Sequence, residues 1–439
     1  MSENTPPESP SSKDAPRLAA LKAVQSVIQS GANLQDALNE TRSRLKDPRD
    51  RAFHHQLVMT VIRHFGEIDT LLDVFLERRP HGQAAKIIHI LYLGIAQVLY
   101  LDVPVYAAAS TTVDLVRQSG LAGHAKLANA IMRRIADQGP GRIAEMDVEQ
   151  VNTPPWLWQS WCATYGEDIT RTIAAANTQE PRLDLSVKSD PDGWAEKLEG
   201  ELLPTGSIRL PIGGRIDAMP GFEDGEWWVQ DAAAALPVKL LGDVEGKSIV
   251  DLCAAPGGKT MQLIAAGAHV TAIDRSKKRL KTLHRNLYRT HQKANVITAK
   301  AEIWKPVELV DGILLDAPCS ATGTLRRNPD IMFQKGPEDI TSLTSLQDTL
   351  IDAAVDMVKP GGVIIYCTCS LQDEEGPARI AAALSRNLPI EIVPIEKGEL
   401  PGLSHAITPE GALRTLPGYW AEHGGMDGFY AARLRKLPA

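Results

Sequence analysis

From Ala15 to about residue 150 the apolar residues fall at helical spacing. Ala19–Gln29 holds that spacing, and Asp50–Glu77 repeats it through Phe53, Leu57, Val58, Val61, Ile62, Ile68, Leu71, Leu72 and Phe75. Ile87–Leu101 is almost wholly apolar yet too short to cross a bilayer, which predicts the central helix of a bundle. Ala109–Gln118 and Lys126–Ile135 add two helices separated by Gly120 and Gly123, and Gly139-Pro140-Gly141 is expected to close this all-α domain. Residues 151–240 are mixed. Pro154 to Tyr165 predicts a Trp-rich connector and helix, Pro181–Val187, Ile208–Leu210 and Trp227–Gln230 predict strands, and Trp194–Glu199 and Asp231–Leu241 predict helices. From Lys247 the period alternates. Strands are predicted at Ser248–Leu252, His269–Ile273, Asn295–Ala299, Gly312–Leu315 and Val363–Tyr366, with helices at Thr260–Ala266, Lys277–Thr290 and Ser342–Val358. Alternation of this kind predicts an α/β domain with a parallel, doubly wound sheet over 241–439. Lys359-Pro360-Gly361-Gly362 is expected as a helix-to-strand turn, and Phe429–Leu434 as a last strand at or near the sheet edge.

Composition narrows this picture little. With 439 residues, 44% apolar and 23% charged, the chain is an ordinary soluble protein of roughly two to four domains. The opening MSENTPPESPSSKD is polar and proline-rich; a disordered tail over 1–14 with no signal peptide is expected. Five cysteines without regular spacing do not make a disulfide framework, and a reducing, cytoplasmic setting fits them. The net charge of −7 hides a local concentration. Arg275–Lys293 holds eight Lys or Arg and no acid, with Leu280, Leu283 and Leu287 as an inward stripe, and Arg326-Arg327 adds two more cations. Taken alone such a helix is as well explained by a solvated face. Beside an active site it suits phosphate contacts.

The chemistry-bearing residues stand where strands end. Asp316-Ala317-Pro318-Cys319-Ser320 and Cys367-Thr368-Cys369-Ser370 each follow a predicted parallel strand, where doubly wound sheets carry their ligands. A third strand end carries Asp251-Leu252-Cys253-Ala254-Ala255-Pro256-Gly257-Gly258-Lys259-Thr260. A P-loop would need glycine at position 253, which is Cys, and no G-x-G-x-x-G is present. What remains is a strand, a tight glycine turn and a helix start with unpaired amides. Asp274 ends the next strand, 16 residues past Gly258, where a carboxylate can accept a ribose's hydroxyls. Zinc would need four ligands, and the three nearby cysteines have no ligand-spaced His. No C-x-x-C redox pair exists. Cys162, Cys253 and Cys367 fit buried, inert thiols, whereas Cys369 lies at the open end of its strand. Two thiols, a carboxylate and a nucleotide-type turn suggest covalent catalysis on an electron-poor ring. Cytosine C5 becomes nucleophilic when a thiolate adds at C6. The reaction then needs a proton donor at N3 and loss of the C5 proton; Asp316 is the group expected to serve the base.

With DLCAAPGGKT, DAPCSATGTLRRNPD and TCS in that order, the chain resembles the RsmB/Sun family of S-adenosylmethionine-dependent RNA 5-methylcytosine methyltransferases. Asp47–Leu76 is similar to the NusB-type RNA-binding bundle of RsmB-like members, and Gly225–Asp231 to the segment entering the catalytic domain. The resemblance implies a Rossmann-like methyltransferase sheet after a small α+β subdomain and a NusB-like bundle over 15–150. It implies Cys369 as nucleophile, Cys319 in product release, and Asp316 at N3 and the exocyclic amine, with Lys259 reaching toward the reaction. Cofactor contacts are implied at Cys253, Ala254, Ala255, Pro256, Gly257, Gly258, Lys259, Asp274, Arg279, Glu302 and Asp316. Where the family places an acid after the third strand, this chain has Lys300, and Glu302 follows two residues later. The implied partner is RNA, 16S rRNA before full subunit assembly more than tRNA, acted on by a monomer without metal or membrane. A DNA enzyme would instead attack with Cys319, and a non-catalytic assembly factor would not need Cys369, Cys319 and Asp316 together.

Overall fold

The computed structural model describes residues 15–438, and the chain divides into two compact units. The polar segment Met1–Asp14 lies outside the described residues. Of the described residues, one unit holds 15–159 together with Asn328–Lys335, and the other holds Ser160–Arg327 and 336–438.

The first unit is helical. Its starts are capped as the sequence dictates. The Asn33 side chain accepts from Asp36 N (3.1 Å) ahead of Leu34–Arg42. Asp47 accepts from Arg49 N (2.7 Å), with Pro48 opening Pro48–Arg63. The apolar stretch Asp50–Glu77 is two helices, Pro48–Arg63 and Phe65–Phe75, broken at His64 (φ −103°, ψ 25°). Just past the break, a Cβ on Gly66 would lie 1.8 Å from the Val151 carbonyl oxygen, so only glycine admits that backbone. Lys86–Leu99 runs through the core with Ile87, Ile90, Leu91 and Ile95 fully buried. The window Gly82–Leu99 is long and apolar enough to cross a membrane, but 61% of it is buried inside the unit. Gly139-Pro140-Gly141 does not close the bundle as expected, because one helix runs through it, Ala125–Ala144. A proline forfeits one amide donor, while Gly139 packs on Leu99, and Ile143 and Met146 beyond the proline still pack on the core. Burial on both sides outweighs the lost bond.

Asn328–Lys335 belongs to this helical unit although it follows the cysteine loop at Cys319. Asp330 Oδ2 accepts from Leu34 N (2.8 Å) at the start of Leu34–Arg42, and Phe333 meets Phe65 edge-on at 4.9 Å.

The second unit begins with a four-stranded antiparallel sheet of order β2-β3-β1-β4: β1 Leu183–Val187, β2 Glu201–Leu202, β3 Ile208–Leu210, β4 Trp227–Val229. At its centre the fully buried Asp184 and Arg209 form a bidentate pair (2.7 and 2.7 Å). Two charges taken out of water hold only as a pair. Asp184→Ala is therefore expected to lower the unfolding free energy by about 3–5 kcal/mol, read from urea denaturation of the variant against the native protein.

The large sheet comprises β5 Ser248–Leu252, β6 His269–Asp274, β7 Asn295–Thr298, β8 Val310–Asp316, β9 Val358–Thr368, β10 Ile390–Ile392, β11 Leu413–Thr415 and β12 Phe429–Lys436. Its order is β10-β12-β9-β8-β5-β6-β7, with β11 also on β12. The five strands from β9 to β7 are parallel, and β12 runs antiparallel to β9 and sits one place in from the edge. The central strands are continuous apolar runs because both faces are covered; Ile313, Leu314, Leu315, Ile365 and Tyr366 are fully buried. Lys359–Gly362 forms no turn between elements. β9 already starts at Val358, and the register to β8 jumps from Val310↔Val358 to Gly312↔Val363, so the four residues bulge from a continuous strand.

Candidate active site

Strand register brings the motif residues together. β5, β8 and β9 are neighbours with their carboxyl ends level: Leu252 pairs with Leu315, and Asp316 with Cys367. Past β5 the backbone turns sharply, with Cys253 at φ +64° and Gly257 at φ +104°, and the helix Gly258–Ala265 begins. A Cβ on Gly257 would lie 3.0 Å from Leu283, and its left-handed backbone favours glycine independently. Asp274, at the end of β6, shapes this turn. Its two oxygens accept from Ser276 N (2.8 Å) and Ala255 N (3.2 Å), while Arg279 sits 3.4 Å from the carboxylate and donates to the Ala255 carbonyl. Asn286 Nδ2 donates to Pro256 O (2.9 Å).

The turn's own acid is Asp251. It is buried, accepts from Thr260 Oγ1 (2.6 Å), and has no partner on its other oxygen among the described residues. Burial, with Asp316 and Asp274 near it, pushes its carboxyl up to about 7. The Cys253 thiol is pushed up to about 12, by burial first and then by the same carboxylates. Lys259, on the first turn of the helix, reaches Asp316 Oδ2 (2.8 Å) and lies over the Phe429 ring at 4.9 Å. Burial works against its ammonium, but Asp316, with Cys367 and Cys369 beside it, raises it above an ordinary lysine.

The two thiols meet. Cys319 Sγ and Cys369 Sγ are 3.5 Å apart, on loops that leave adjacent strands. Ala317 N donates to Cys367 O (2.9 Å) and Gly323 N to Cys369 O (2.9 Å), so the loops stay level beyond the strand ends. A Cβ on Gly323 would lie 2.0 Å from Gly428 O, which makes glycine the only residue for that approach. The Cys319 thiol is held well above the usual value, first by its hydrogen bond to Cys369 and then by burial, with Glu375 and Asp316 adding repulsion. Cys367 is fully buried, 3.7 Å from Asp316 Oδ1, and raised by burial; it has the environment of an inert thiol.

Residues 238–435 match the family model described as 16S rRNA methyltransferase RsmB/F, and residues 14–137 match that of the NusB family. A ribosomal RNA small subunit methyltransferase B from Shigella sonnei is 33% identical over 96% of this chain and 98% of its own length. The protein of that name from Escherichia coli O139:H28 has the same identity and coverage. The chain belongs to the RsmB/F family. In fold it is similar to PH0851 (TM-score 0.75, 22% identity, 95% of this chain and 99% of that one). It is also similar to a methyltransferase homologue protein from Pyrococcus horikoshii (TM-score 0.52, 24% identity, 65% and 100%).

Cys319, Cys369, Asp316 and Lys259 of this RsmB/F chain thus form one cluster, and Cys253 to Gly258, Asp274 and Arg279 form the adjoining turn. Glu302 is half-buried in the turn after β7 and Lys300 beside it is exposed. Among the described residues, no hydrogen bond or ion pair joins either of them to the cluster. Sequence reasoning quoted Asp251 and Phe429 without giving either a role, and did not single out Gln347 or Glu375. Glu375 stands in the run Asp373-Glu374-Glu375, which carries no sign that its third acid is fully buried while the first two are exposed.

Proposed function

We propose that this chain transfers a methyl group from S-adenosylmethionine to C5 of a cytosine in 16S rRNA through a covalent adduct on Cys369. The observation that carries the reading is the pair of thiols 3.5 Å apart at adjoining strand ends, beside the Lys259–Asp316 pair. The turn fits the cofactor by its chemistry. S-adenosylmethionine is cationic at sulfur and at its amino group, and the carboxylates of Asp251, Asp274 and Asp316 gather there, one with an oxygen lacking any partner. The tight backbone of Cys253 to Gly258 would wrap the methionine portion. Asp274, already bound to backbone amides, keeps further lone pairs for a ribose. The cofactor supplies the electrophilic methyl group.

The chain's own residues do the rest. Cys369 Sγ adds to C6, the C5=C6 electrons move to C5, and N3 takes a proton from the Asp316–Lys259 pair. C5 would then capture the methyl group as the bond between that methyl and the cofactor's sulfur breaks, the electron pair staying on the sulfur as a neutral thioether. When the C5 proton leaves to solvent, the C5=C6 bond re-forms and the C6–S bond breaks, its electrons returning to Cys369. Cys319, held protonated, offers its S–H to that departing thiolate, and N3 returns its proton to the pair. Reaching a recessed thiol requires the base to leave its stack at a cost of about a few kcal/mol, which favours unfolded or looped RNA over a perfect helix.

The helix Lys277–Arg289 supplies an RNA-facing surface, with Lys277, Lys278, Lys281, Arg285 and Tyr288 exposed around the buried Leu280, Leu283 and Leu287. The test is labelled-methyl transfer to unmodified 16S rRNA and to tRNA, with digestion to nucleosides. Label in 5-methylcytosine of 16S rRNA is expected, and label in tRNA alone would move the substrate. In the same assay Lys278→Glu/Lys281→Glu/Arg285→Glu should raise the RNA KM by about tenfold or more. It should also flatten the dependence of log affinity on log salt by roughly one unit per lost phosphate contact.

A further inference from the structure

Beneath the two thiols lies a carboxylate that the reaction as described does not use. Glu375 is fully buried. Its Oε1 accepts from Ser320 N (2.9 Å) and Gln347 Nε2 (3.1 Å), and its Oε2 from the hydroxyls of Ser320 and Ser370. Ser320 directly follows Cys319, and Ser370 directly follows Cys369. Gln347 also donates to Pro318 O (2.9 Å), on the other side of Cys319. One side chain therefore grips both cysteine loops at the residue next to each thiol. No Lys or Arg forms an ion pair with it among the described residues, so four donor groups take the place of a counter-charge. A carboxylate accepts from all four at once, whereas a residue without acceptors would leave an obligate donor, the Ser320 amide, unmet.

We propose that Glu375 is a positioning residue for methyl transfer, whose carboxylate fixes the Cys319 and Cys369 loops against each other. The inference rests on the assignment of the two thiols to attack and release. A shift of either loop by about 1 Å would separate the sulfurs or move Cys369 from C6, a displacement that can cost about a hundredfold in rate. The negative charge has a second consequence. The titratable groups facing Cys319 are Cys369, Glu375, Asp316 and Tyr366. Glu375 is the one among them that already bonds the neighbouring residue of both thiols, and its charge favours the protonated Cys319 needed when Cys369 departs.

Two variants separate positioning from mere support of the fold. In Glu375→Gln the amide oxygen can still face the two N–H donors, while the serine hydroxyls can turn to accept from its NH2. Glu375→Ala offers nothing. Glu375→Ala is expected to lower kcat about 10- to 100-fold, with the KM for S-adenosylmethionine unchanged within about twofold. Glu375→Gln should recover most of that rate. With neither RNA nor cofactor present, iodoacetamide labelling of Cys319, followed by mass spectrometry across pH, should show a midpoint about one pH unit lower in Glu375→Gln than in the native protein. The proposal is overturned by native kcat in Glu375→Ala, by equal loss in both variants, or by an unmoved labelling midpoint. Failure of the underlying reading looks different: Cys369→Ala would still methylate RNA, while the labelling experiment, which needs no turnover, would stand on its own.

Discussion

Cys369→Ala will lose methyl transfer by about three orders of magnitude or more, the scale seen when a covalent nucleophile is removed. Cys319→Ala will also stop turnover, but at a different point. With Cys369 intact, addition to C6 and methyl capture proceed, while the departing thiolate has lost the S–H donor that lies 3.5 Å away. The protein should therefore accumulate bonded to its RNA. Denaturing gels with labelled RNA read this directly: a slow-migrating band for Cys319→Ala, and none for Cys369→Ala or for the double variant. A band for Cys369→Ala with none for Cys319→Ala would exchange the two roles, as expected of an enzyme that attacks with the Pro-Cys thiol. Both variants should fold, because each only removes a sulfur and leaves the smaller methyl side chain in a half-buried position.

The second large effect concerns the ion pair beside the thiols. Lys259→Met and Asp316→Asn should each reduce kcat about 100- to 1,000-fold, in keeping with loss of a positioned proton donor and its electrostatic support. Asp316 has one oxygen on Lys259 and is about a third exposed, so it can still face a base. The amide in Asp316→Asn would keep the shape and a hydrogen bond to N3 but could not give and recover a proton. The thioether in Lys259→Met would preserve the packing over Phe429 while leaving Asp316 without its cation. If both residues act as one unit, the double variant falls little further than either alone. Losses that multiply would mean that Lys259 and Asp316 act separately, with Lys259 serving the cofactor turn. Steady-state kinetics with RNA saturating and cofactor varied distinguish these outcomes.

The strand ends were legible because each carries residue types that stand out in the local sequence. A glycine turn after β5 and thiols after β8 and β9 leave a signature in the chain itself, and the period of apolar residues fixes the strands that carry them. What could not be read depended on packing at long range. Gly139-Pro140-Gly141 carries every local mark of a helix end, yet burial of residues on both sides keeps the helix going. The bulge at Lys359–Gly362 has the composition of a turn and is one, but inside a strand whose register only β8 defines. Glu375 is the clearest case. Its importance comes from Ser320 and Gln347, 55 and 28 residues away, and nothing near it in sequence distinguishes it from the exposed acids before it.

The placement of Asn328–Lys335 bears on how the chain can be divided. The backbone leaves the catalytic unit after Arg327, spends eight residues in the helical one, and returns at Gly336. Together with the passage at Gln159–Ser160 that makes three covalent crossings, so the bundle is no appendage to be trimmed from one end. A truncation beginning at Ser160 would take away Leu34 and Phe65 and leave Asp330 and Phe333 without the amide and the ring they meet. The orphaned stretch starts nine residues after Cys319. Loss of activity in such a fragment would then report a loosened cysteine loop as readily as a missing RNA contact, and only point variants that spare Leu34 and Phe65 would tell the two apart.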